Sequence, residues 1–176
     1  MSFKQVIKRV LPLSPVAVQN AEGTSATIPN AILLPEVVRL VNEGHTVTLP
    51  LKGNSMRPFL CHMRDKALLT AVTEVSVGQP VLAETMPGHY VLHRIVAIDG
   101  DEVTLRGDGN IGTEHCQRSD VKALAVAFYR KGRTTPDYIT SRKWRVYSWF
   151  WTRLLPVRSY LLLLHHLFFR SMKILD

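Results

Sequence analysis

HYVLHRIVAIDGDEVTLRGDGN, residues 89 to 110, decides how the chain folds. HYVLHRIVAI and EVTLRG are rich in β-branched residues and are separated by Asp and Gly, as strands separated by turns are. Working outward, TVTLPL from Thr46, KALLTAV from Lys66, PVLAE from Pro80 and VKALAVAFY from Val121 repeat the pattern, each bounded by Gly, Asp or Pro. This spacing predicts a compact antiparallel β domain over roughly residues 45 to 130. Before it, Leu33, Val37, Leu40 and Val41 recur at helical spacing between a capping Asn30 and Gly44, which predicts one short amphipathic helix. The expected division is a flexible arm over 1–29, a β domain with its leading helix over 30–131, and a basic, aromatic helical extension over 132–176.

Length and composition fit this division. A chain of 176 residues, 46% hydrophobic, suits about one domain with one good core. The first 29 residues contain Pro12, Pro15, Pro29 and the polar run QNAEGTSAT, the composition of a poorly ordered arm. Its basic start and short apolar run imitate a secretory signal, but prolines interrupt the run and no small-x-small cleavage site follows by Ala21. After Tyr129, RKGRTTPDYITSRK reads as a polar linker, and Trp144 to Phe169 as two short amphipathic helices with a kink at Pro156.

The net charge of +8 leaves nucleic acid, an anionic membrane surface or an acidic substrate open. Much of the excess lies in the last third, where Arg142, Lys143, Arg145, Arg153, Arg158, Arg170 and Lys173 follow one another with no acid between Thr140 and Lys173. Trp144, Trp149, Phe150, Trp151 and Tyr160 are interleaved with them, so residues 144–169 are a candidate for contact with a membrane surface. The competing reading packs these helices on the β domain. Nucleic acid is disfavoured by the lack of a helix-turn-helix pattern. The carboxyl-terminal stretch free of charged residues, Ser159 to Phe169, is far shorter than the about 20 residues of a spanning helix. Cys61 and Cys116 cannot form a disulfide framework, and free thiols suit a reducing compartment. The expectation is a cytoplasmic chain, peripherally membrane-associated at most.

Three segments could carry chemistry. In GNSMRPFL, Gly53 to Leu60, Ser55 stands between a glycine and a proline: an ordinary polar turn, or a nucleophile held outside regular structure. In YVLHRIV, strand alternation puts His93 on a face with Val91 and Ile95, opposite Leu92 and Arg94. Such a histidine is a hydrogen-bonded core residue or a partly desolvated general base. No lysine occurs between Lys66 and Lys122, so histidine is the base the central strands can supply. In LRGDGN, Asp108 belongs to an Asp-Gly turn or orients an imidazole. Cys61-His62 and His115-Cys116 could in principle ligate zinc, but neighbours on a strand point to opposite faces and four ligands would not converge.

Taken together and in this order, GNSMRPFL, VLHRIV and RGDGN resemble the signal-peptidase and repressor-protease superfamily of serine peptidases, through its G-x-S-M-x-P-x-L, base-strand and G-D-x-N boxes. With histidine at the base position, the resemblance is to the endoplasmic-reticulum and archaeal branch. It covers about residues 45 to 130. It implies a mainly β, coiled partial barrel with Ser55 as nucleophile, His93 as base and Asp108 as orienting acid. The Ser55 amide would be an oxyanion donor, and Gly53, Met56 and Pro58 would contact substrate. It also implies an extended leader- or signal-like peptide as substrate and no cofactor or metal. Relatives generally carry a membrane anchor, which leaves room for self-cleavage of the repressor type or a non-catalytic peptide-binding adaptor.

Overall fold

The structure is a computed structural model and describes residues 30–154 together with Val157 and Tyr160. The amino-terminal arm and the second carboxyl-terminal helix expected from sequence lie outside the described residues. The described chain is mainly β, one antiparallel eight-stranded sheet accompanied by two helices.

The first helix, α1 (Asn30–Asn42), buries Leu34, Val37 and Val41, a stripe at helical spacing. It ends in a Schellman arrangement: Gly44, at φ +89°, donates to the Val41 carbonyl and His45 to that of Leu40. The strands follow as β1 (Val47–Pro50), β2 (Lys66–Thr70), β3 (Pro80–Met86), β4 (His89–Asp99), β5 (Glu102–Arg106), β6 (Glu114–Gln117), β7 (Val121–Tyr129) and β8 (Asp137–Tyr138). A second helix, α2, spans Arg142–Arg153. The spatial order is β1-β2-β7-β3-β4-β5-β6, with β8 added to β7, and the sheet is not closed.

Six strands coincide with the β-branched runs of the sequence; β6 and β8 were not expected. Only Cys116 of β6 is buried, so its sequence EHCQ carries no apolar alternation. β8 lies inside the segment read as a linker and pairs Tyr138 with Ala127 and Asp137 with Phe128. Residues 132–154 are therefore fastened to the sheet.

Alternation along β3 builds two cores. Leu82 faces one cluster with Val41, Leu60, Leu69, Phe128 and Trp144; Val81 and Ala83 face the other with Ile95, Val103 and Leu105. Both faces of the central strands are thus covered, and α2 helps to cover the first. Trp144 is 3% exposed and stacks on Phe128 at 4.9 Å.

Candidate active site

The loop from β1 to β2 carries Ser55. Its geometry is fixed at both ends by hydrogen bonds rather than by regular structure. Gly53, at φ +96°, donates its N–H to Nδ1 of His62 at 2.8 Å. The Arg57 N–H donates to the Asn54 carbonyl at 3.1 Å and the Leu60 N–H to that of Met56 at 3.0 Å; the Arg57–Pro58 peptide is cis. At the far end the buried Asp65 carboxylate accepts from the Cys61 N–H, the Arg64 guanidinium and the Lys131 N–H. Burial alone would raise the pKa of Asp65, but these donors outweigh it and hold the carboxyl below its ordinary range. Met56, Phe59 and Leu60 point into the core, so the loop is anchored from beneath while Ser55 stays half-buried.

The β5–β6 loop closes on this one. Gly109 donates to the Ser55 carbonyl at 2.6 Å. A methyl group on Gly107 would lie 2.4 Å from that carbonyl oxygen, 3.0 Å from Nε2 of His93 and 3.0 Å from Nδ2 of Asn110. No side chain fits there, so glycine at 107 is what allows the serine loop and the imidazole to approach each other. Ser55, His93, Asn110 and Glu114 line one cavity of about 280 Å³, with Leu51, Met56, Leu60 and residues 89–92 of β4. Gly53 and Met56 also line it; Pro58 is not among its lining residues.

His93 is 3% exposed. Its Nε2 faces the Gly107 corner, beside the serine loop. Its other nitrogen, Nδ1, lies 3.8 Å from Oε2 of Glu114, an ion-pair separation rather than a hydrogen bond. Both of these atoms are buried without a hydrogen-bond partner among the described residues. Burial lowers the His93 pKa below the ordinary histidine value, with a smaller push in the same direction from His89; Glu114 and Asp108 act the other way without overcoming it. The imidazole is therefore kept neutral, the form that can accept a proton.

Asp108, expected to orient the imidazole, makes no hydrogen bond to its Nδ1, although its charge favours the protonated ring. Its Oδ1 accepts from Arg94 Nε at 3.0 Å, and its Oδ2 accepts from the same guanidinium at 2.8 Å and from the Tyr147 hydroxyl at 3.0 Å. Arg94, 1% exposed, also donates to the Gly78 carbonyl and to Ser148 of α2 and sits over the Trp144 ring. The pair is forked and fully buried, and it pins the β5–β6 loop to β4 at the residue next to His93.

Glu114 was missed because its strand has no apolar pattern. Had EHCQ been read as a strand, alternation would have put Glu114 on the same face as buried Cys116. Lys52 also lines the cavity, but its ammonium donates to Asn30 of α1. Among the described residues no group of three or more His, Cys, Asp or Glu is placed to hold a metal ion. His62 is engaged by Gly53, His115 pairs with Glu102 at 2.8 Å, and Cys116 is core. A scan against protein-family models and a search of curated proteins each find no match to the chain.

Proposed function

We propose that the protein is a serine endopeptidase that hydrolyses an extended, leader- or signal-like peptide through Ser55 and His93. The observation that carries this reading is the convergence at Gly107: the serine loop and the imidazole Nε2 meet where no side chain could stand, while Nδ1 looks toward a carboxylate. A hydroxyl is inert at its own pKa and needs an adjacent base, and a buried, neutral imidazole supplies one near neutral pH.

In the proposed cycle His93 Nε2 takes the Ser55 proton as Oγ attacks the scissile carbonyl. The Ser55 amide is an oxyanion donor, and the new imidazolium is stabilised by Glu114. The proton then passes to the leaving amine, giving an acyl-enzyme and a free amino terminus. Water, deprotonated by the same imidazole, releases the acid. Asp108 reaches the ring only through its charge and otherwise acts through Arg94 and the loop.

The sheet supports an extended substrate. β5 pairs with β4 only from Arg94 onward, so the edge of His89–His93 away from β3 has no strand partner among the described residues. That edge lines the same cavity as Ser55, and a peptide adding a strand there would bring its carbonyls past the serine. Contact between β3 and β6, which are not neighbours in the sheet, agrees with a curled sheet of the partial-barrel kind.

The test is trapping. Incubation with a serine-directed acylating or phosphonylating probe should add its mass to the wild-type chain and not to Ser55→Ala, and a mixed peptide library should be cut by the first alone. Equal labelling of both chains, with no peptide cut, would overturn the assignment. Fragments of the protein itself appearing instead would shift the substrate to its own chain.

A further inference from the structure

Helix α2 has two faces of different character. Trp144, Tyr147, Ser148 and Trp151 turn inward: Trp144 into the core, Tyr147 and Trp151 onto Asp108, Ser148 onto Arg94. On the opposite side Arg142, Arg145, Val146, Trp149, Phe150 and Arg153 occupy one arc of a helical wheel, and all six are exposed; Lys143 and Thr152 flank the arc, Lys143 pairing with Asp137. Val146, Trp149 and Phe150 are more than half exposed, at 55%, 51% and 56%. The two rings pack edge-to-face at 4.8 Å, and the Arg153 guanidinium stacks on Trp149 at 4.3 Å. The helix contains no Asp or Glu. Apolar rings exposed in one row cost free energy in water, and three cations with no acid beside them leave the face strongly positive.

We infer that this outer face of α2 is a docking surface for an anionic lipid bilayer. The occupant is chosen by charge and by side-chain type. A second copy would set Arg142, Arg145 and Arg153 against their own counterparts. An acidic bilayer neutralises them while indole and phenyl rings settle at headgroup level. None of the six residues contacts the cavity of Ser55. The inner face of the same helix is hydrogen-bonded to Asp108, so a docked helix holds the peptidase groove in a fixed relation to the lipid surface. Substrates would be polypeptides presented at that surface. The surface itself does not depend on the peptidase assignment.

The experiment compares the full-length chain with Trp149→Ala/Phe150→Ala in sedimentation with vesicles of phosphatidylcholine alone or with about one-third phosphatidylglycerol. Wild type should bind the anionic vesicles, lose binding at high salt and ignore the neutral ones; the double variant should bind at least about tenfold more weakly. Cleavage of a soluble peptide, followed in parallel, should be equal in the two chains, which separates loss of lipid binding from loss of the active site. Equal binding by both chains would place the lipid contact elsewhere and overturn the inference. So would binding indifferent to lipid charge, or a wild type that ignores vesicles and forms a dimer abolished by the substitutions.

Discussion

The two nitrogens of His93 face different partners, and this asymmetry sets what pH should do. Burial favours neutral imidazole, so the acid limb of kcat/KM should lie below the ordinary histidine value, with activity rising as pH passes through that limb and the ring loses its proton. Glu114 opposes burial, because an anion facing Nδ1 favours the charged ring. Glu114→Gln should therefore move the limb to still lower pH. It should also lower kcat by roughly tenfold or more, since imidazolium formed in the transition state loses its counter-charge. A pH–rate profile of both chains checks it: an unmoved limb would mean that Glu114 does not sense the ring. Asp108, by contrast, was legible as a residue, but its pairing with Arg94 was not. An acid between two glycines signals a special turn, while its partner Arg94 sits on β4, where sequence alternation gives the face but not what packs against it.

Strands and loops differ in how readily they were read. Six strands follow from periods of apolar and β-branched residues because each has an inward row to bury; β6 and β8 have almost none, being held by register against β5 and β7. The arrangement around Ser55 and His93 depends on one of these silent elements and on the contact between two loops, neither of which a local pattern encodes. The contact makes a sharp prediction. Gly107→Ala would put a methyl group 2.4 Å from a main-chain oxygen, and the loops must part to admit it. Activity should fall by about a hundredfold, the scale of a misplacement near 1 Å. Gly112→Ala, five residues on in the same loop, meets nothing within 4 Å and should retain wild-type rates. Asp65 is the anchor on the other side. Its lowered pKa means a stabilising contribution that is complete above the ordinary carboxylate range and is lost as pH falls through the folded-state value. Asp65→Asn should unfold more readily at neutral pH and show a flatter dependence of stability on pH in the acid range, measured by urea titration.

At the scale of the whole molecule, the Arg94–Asp108 pair joins three things: β4 with His93, the β5–β6 loop with its glycines, and α2 with its outward row of rings. That α2 would be amphipathic was readable from its residues, but its inward side is held as much by hydroxyl and indole donors as by apolar contact. Such polar docking leaves no periodic trace. A buried ion pair of this kind is weak evidence for net stability, yet removing one member leaves a full charge without a partner. Asp108→Asn should accordingly destabilise the fold by about 3–5 kcal/mol, because Arg94 is 1% exposed and cannot reach water. The double substitution Asp108→Leu/Arg94→Met removes both charges and should recover most of that stability. An acid acting on the imidazole predicts the reverse pattern: a normal melting temperature for Asp108→Asn, a collapsed kcat, and no benefit from changing Arg94. Thermal unfolding of the three chains, with kcat measured well below each transition, distinguishes the two. Recovery of stability in the double variant would identify the pair as the brace that sets loop against strand.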